Sequence, residues 1–184
     1  MSHLSYSKDY QGVAEVFLRD PERYAPLLQF IENVMTRESE LTKAEREMIA
    51  AHVSKLNDCG FCLCAHKWTL AAMDIDLATI RAIESDLDEE AIDDRLLPVL
   101  AFAGKLTKSP GEIEQSDIDA LRAAGWSEQT VEDVINVVAL FNYVNRLVDA
   151  FGIEGNEGYF RSIGRSLATR GYAPLIETAL RRAS

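Results

Sequence analysis

Apolar residues recur along this chain at spacings of three and four, and alternating runs of β-branched residues bounded by turn signals are nearly absent. That pattern predicts an all-α fold. Tyr24, Leu27, Leu28, Ile31 and Met35 line one face of a helix that follows Pro21. Thr42 and Glu45 read as a capping box opening a helix through about Leu56, and Asn57 and Asp58 break it and start another near Cys59. Trp68, Leu70 and Met73 continue that helix, and Asp74 or Asp76 caps a short one over Leu77 to Ile83. After an acidic stretch, Leu96 to Leu106 is helical in pattern, with Pro98 tolerated near its start. Ser109, Pro110 and Gly111 mark a loop, Ser116 and Asp119 open a short helix closed by Gly125, and Ser127 caps a long one from Glu128 to about Phe151. That long helix is apolar over so much of its circumference that it belongs at the centre of the fold or at a subunit contact. Its Asn136, Asn142, Asn145, Arg146 and Asp149 are expected to satisfy one another or partner groups. From Gly152 onward, glycine-rich joints precede a basic end with Arg181 and Arg182, read as a solvated or docking tail.

Charge and length narrow the functions available to such a fold. The 184 residues suit one domain, with no internal duplication evident. A formal net charge of −11 opposes contact with a phosphate backbone, so nucleic acid is a poor partner. No uninterrupted apolar run reaches the roughly 18 residues that span a bilayer, and the start lacks a signal-peptide pattern, which makes the cytoplasm the simplest location.

The three cysteines, Cys59, Cys62 and Cys64, fall within six residues and cannot staple distant parts of the chain. They begin at a helix N-terminus, where unpaired N–H groups and the helix dipole favour a thiolate. Cys59, Cys62 and His66 share one helical face, whereas Cys64 lies about 200° round from Cys62. A CxxC spacing lets two sulfurs join as a disulfide, and an imidazole one turn on can move the proton that the exchange requires. Three Cys and one His also match a zinc ligand count, yet one helix cannot aim Cys64 at the point shared by the others, so zinc is the weaker alternative. Another alternative is a non-catalytic helical oligomer with an idle dithiol. Glu47 precedes a strip of small residues, Ala50, Ala51 and Ser54, against which a second helix can pack closely. Partial burial there raises a carboxylate toward a useful proton-transfer range, although from these residues alone a solvated Glu on a charged helix is the better reading. His3 and His52 have no cysteine within one turn and read as bystanders.

Glu47, eleven residues, Cys59-x-x-Cys62, three residues and His66 together resemble the core motif of the alkylhydroperoxidase AhpD-like branch of the carboxymuconolactone decarboxylase superfamily. The likeness extends through the FNYVNRLVDAFGI segment and covers roughly residues 40–152. The stretch 1–39 resembles the helical N-terminal extension of peroxidase-related members, and 153–184 forms a C-terminal segment packed on the core or on a neighbouring subunit. Phe61 departs from the better-studied AhpD proteins, which have a histidine between the cysteines. The resemblance implies an AhpD-like helical domain, a homo-oligomer, and reduction of a peroxide or a partner's disulfide with electrons from a thiol or lipoyl-type donor. It implies no cofactor and no metal. It makes Cys62 the attacking thiol, Cys59 the resolving partner and proton donor, and Glu47 with His66 the proton relay. The helix dipole alone favours Cys59 as the more acidic thiol, whereas His66 is one turn from Cys62 and two from Cys59.

Overall fold

The computed structural model describes residues 3–85, 87 and 89–183, and among these it contains helices and no strand. The helices are α1 (Val13–Arg19), α2 (Pro21–Thr36), α3 (Lys43–Leu56), α4 (Gly60–Ala72), α5 (Leu77–Glu84), α6 (Leu97–Lys108), α7 (Gln115–Ala123), α8 (Glu128–Phe151), α9 (Glu157–Arg170) and α10 (Ala173–Ala183). Local chemistry sets most of these boundaries. Asp20, Thr42, Asp76 and Ser127 each accept a backbone N–H with their side chains at the starts of α2, α3, α5 and α8. The Thr42 and Glu45 capping box forms as expected, and Gly152 ends α8 in the left-handed region. Pro98 sits in the first turn of α6, where its missing N–H costs nothing. The short helix expected to open at Ser116 starts earlier, because the Asp117 carboxylate accepts the Glu114 N–H and caps the turn from inside. Part of the acidic stretch after α5, Asp86 and Asp88, lies outside the described residues.

The helix enclosed on every side is α3, not the long apolar α8. Arg46 through Ser54 is buried without a break, and α3 packs against α2, α4, α5, α6 and α8. Small residues make this enclosure geometrically available, since Ala50, Ala51 and Ser54 let neighbouring backbones approach. Among the described residues Arg46 is the one long cation inside; its Nη1 reaches the Met35 carbonyl at 3.4 Å, at the C-terminus of α2, where the helix dipole favours positive charge. By length and mean hydropathy, 1.2, α8 is apolar enough to cross a membrane, but its Val134, Val137, Val138, Phe141 and Val148 are buried against the rest of the fold. Ile135 and Tyr143 on its other side are exposed.

After Gly152 the chain forms two further helices, which dock on the rest of the domain. Phe160 and Leu167 of α9 face inward, and Gly164 lets α9 ride directly on α4: a Cβ there would lie 2.5 Å from the Trp68 carbonyl carbon. The next helix, α10, returns across α1 and α2, and Val13 and Phe17 of α1 share a cavity with Cys62.

Candidate active site

The turn between α3 and α4 is where sequence and site meet. Asp58 adopts a left-handed conformation (φ 57°), which folds α4 back along α3 and makes Cys59 the N-cap residue of α4. A polar network fixes this turn to α8. Asn57 Nδ2 donates to Asn145 Oδ1 at 2.9 Å and to Asn142 Oδ1 at 3.2 Å, while Asn145 Nδ2 donates to Ser54 Oγ at 3.0 Å. Asn145 is fully buried, and it and Asn142 are satisfied by partner groups outside α8, namely Asn57, Ser54 and Thr107, rather than by each other. Asn136 bonds back to the Glu132 carbonyl of its own helix, and Arg146 donates to both the carbonyl and the side-chain oxygen of Asn142.

Folding α4 against α3 brings three of the four candidate residues onto one face and the fourth onto that face from the neighbouring helix. His66 Nδ1 lies 2.6 Å from Glu47 Oε2, with both side chains almost completely buried. The imidazole edge is packed on Phe141, ring centroids 4.5 Å apart, which restrains the ring plane. Cys59 and Cys62 are buried free thiols, two turns and one turn before His66, and Cys64 is a partly buried free thiol. Among the described residues, no three Cys, His, Asp or Glu side chains gather as metal ligands.

The Cys59 thiol is held strongly in its protonated form. The leading cause is its hydrogen bond with the Cys62 sulfur, followed by burial and by the charge of a Cys62 thiolate; a contact with the Asp149 carboxylate adds to them. The dipole argument that favoured Cys59 as the acidic thiol is therefore outweighed by desolvation and by its neighbour. Asp149 reaches the site from the last turn of α8, one turn beyond Asn145, a role invisible while α8 is read by itself.

Cys62 and His66 open onto an apolar cavity of about 50 Å³ whose walls include Phe61, Phe141 and Tyr172. A single water needs roughly 10–15 Å³ of such space, so the cavity accommodates only a few heavy atoms. Phe61, between the cysteines, meets Phe160 edge-on (5.2 Å) and Tyr159 at a tilt (5.7 Å), both on α9, and lines the cavity beside Cys62. Tyr172 enters from the joint between α9 and α10; burial first, then the charges of Glu47 and Cys62, raise its pKa well above the usual phenol value. Neither the α9 aromatics nor Tyr172 was singled out from sequence, because each lies about a hundred residues from the cysteines and no spacing connects them.

The carboxymuconolactone decarboxylase family model matches residues 21–104, from α2 into α6 and including Glu47, Cys59, Cys62 and His66. No curated protein matches the chain. Among solved structures, an uncharacterised peroxidase-related protein from Silicibacter sp. TM1040 is 31% identical, with a TM-score of 0.76, over 80% of this chain and 78% of that one. A peroxidase-related protein from Ralstonia eutropha JMP134, described as an alkylhydroperoxidase AhpD core, is 26% identical over 82% of this chain and 78% of that one, with a TM-score of 0.73. A protein of unknown function from Agrobacterium tumefaciens shares the fold at 16% identity and a TM-score of 0.62, over 85% of this chain and 99% of that one. With its helical fold and with these matches, the chain belongs to the carboxymuconolactone decarboxylase family, in its AhpD-like, peroxidase-related branch.

Proposed function

We propose that the protein is a thiol-dependent peroxidase or disulfide reductase of the alkylhydroperoxidase type, working through Cys59 and Cys62 with a His66 and Glu47 proton relay. The observation that carries this reading is the buried 2.6 Å contact between His66 Nδ1 and Glu47 Oε2, one turn from Cys62. A buried carboxylate on Nδ1 fixes the imidazole orientation and leaves Nε2 as the nitrogen available to the thiol. His66 then takes the Cys62 proton, and the thiolate attacks the terminal oxygen of a hydroperoxide. An S–O bond forms, the O–O bond breaks, and the leaving alkoxide takes the proton from His66, giving an alcohol and a Cys62 sulfenic acid.

Cys59, held as a thiol by its surroundings, suits the resolving step. Its sulfur attacks the sulfenic sulfur, the S–S bond forms, and the hydroxyl leaves with the Cys59 proton as water. Two electrons and two protons from a thiol or lipoyl-type donor restore the dithiol. With a disulfide as substrate, the same Cys62 thiolate forms a mixed disulfide that Cys59 resolves.

The test is stopped-flow oxidation with several hydroperoxides, followed by recycling with lipoyl and thioredoxin-type donors. Cys62→Ser is expected to abolish turnover, and Cys59→Ser to react once and stall as a sulfenic acid or mixed disulfide visible by mass spectrometry. The opposite pattern reverses the two roles. Wild-type protein that turns over neither peroxides nor disulfides would sink the reading.

A further inference from the structure

Tyr172 is the residue at which the inner cavity meets a larger apolar groove of about 280 Å³ between α1, α9 and α10. Val13, Phe17, Ile163 and Leu167 border both spaces along with it. Its position is built rather than incidental. The Glu32 carboxylate of α2 accepts the Tyr172 N–H at 2.6 Å, and Gly171, at φ 59°, makes the turn that delivers it. A Cβ on Gly171 would meet the end of the Glu32 side chain, which can shift, so it is the left-handed conformation that calls for glycine. Nothing in the proton relay or in the dithiol chemistry uses this phenol.

Resting on the peroxidase reading, we propose that Tyr172 is a catalytic hydrogen-bond donor to the leaving oxygen of an organic hydroperoxide. Displacement at the terminal oxygen is in line, with sulfur, attacked oxygen and leaving oxygen nearly collinear. Once Cys62 addresses the terminal oxygen in the inner cavity, the leaving oxygen lies on the far side, toward the groove. The apolar substituent that it bears fits the groove, and the polar group at the junction is the Tyr172 hydroxyl. As the O–O bond breaks, charge develops on this oxygen, and a fixed donor in an apolar enclosure stabilises it strongly. No proton is transferred from the phenol; the alkoxide receives the one that His66 took from Cys62. Burial and the neighbouring acidic groups keep the phenol protonated, so it serves as a donor and not as a base.

The decisive variant is Tyr172→Phe, which removes the hydroxyl and keeps the ring. Two reactions of Cys62 are compared in the full-length protein: sulfenic acid formation with cumene hydroperoxide, and alkylation by iodoacetamide, whose iodide leaving group needs no hydrogen-bond donor. The expected result is peroxide oxidation slowed about a hundredfold, the scale of losing one oxyanion donor, with the alkylation rate and its pH profile unchanged. A variant as fast as wild type with the peroxide overturns the proposal, and so does one slowed equally in both reactions, which is the signature of packing alone. Wild-type protein that forms no sulfenic acid with any hydroperoxide removes the peroxidase reading itself, and the Tyr172 role with it.

Discussion

Two histidines on adjacent helices show how strongly the immediate surroundings of a residue decide its chemistry. His66 has a carboxylate on Nδ1, whereas His52, equally buried on α3, has no hydrogen-bond partner for its Nδ1. Burial is the main reason that the His52 pKa is pushed down to about 4; the charge of Lys55 adds to it, and a hydrogen bond with the Leu100 backbone partly offsets it. The folded state therefore refuses a proton that the unfolded chain accepts near pH 6.5. The stability conferred by neutral His52 is complete above that pH, falls as the pH drops from 6.5 toward 4, and loses on the order of 3 kcal/mol in all. Urea denaturation of wild type and His52→Gln between pH 7.5 and 4.5 is expected to show the steeper decline in the wild type. Parallel pH profiles would remove His52 as the source.

At the scale of elements, the contact that organises the site is the crossing of α4 and α9 at Gly164. Replacing it with alanine forces a methyl group onto the Trp68 backbone, which cannot move aside as a side chain end could. Gly164→Ala is therefore expected to lower stability by about 1–3 kcal/mol and to speed Cys62 alkylation, since displacing α9 lifts Tyr159 and Phe160 from Phe61. Unchanged melting and unchanged alkylation together would show that the crossing tolerates a methyl group. This element also marks where sequence reading stopped. Capping signals at Thr42, Asp76 and Ser127 and the break at Asn57 and Asp58 were legible because they are local, and so was the alignment of Cys59, Cys62 and His66 along one helical face. The helical character of α9 and α10 was masked by the charges and glycines between their apolar positions, Phe160 and Leu167 and then Leu175, Ile176 and Ala179. Pairing of Glu47 with His66 depended on how sharply Asp58 turns the chain, which its residue type permits but does not dictate.

For the whole molecule, the apolar character of α8 leaves a surface to be accounted for. The helix is 24 residues long, about 36 Å at 1.5 Å per residue, and its buried face is taken up by the domain's own core. Its opposite side presents Ile135 and Tyr143, and α2 packed beside it presents Phe30, each more than a third exposed. Isolated apolar residues are ordinary on a protein surface, but three large ones on two adjacent helices are what a second copy of the chain would cover. A two-fold contact along antiparallel α8 helices has the length to bury the roughly 800 Å² per partner of a stable interface. The net charge of −11 opposes association, so the contact is expected to strengthen as salt screens the repulsion. Sedimentation velocity at micromolar concentration is expected to give a mass at least twice the 20.5 kDa of the chain. Ile135→Asp combined with Tyr143→Glu should return it to monomer while leaving Cys62 alkylation unaffected, because neither residue lines the cavity. A wild-type monomer at every salt concentration would rule the interface out, and an oligomer insensitive to the double substitution would move it to another face.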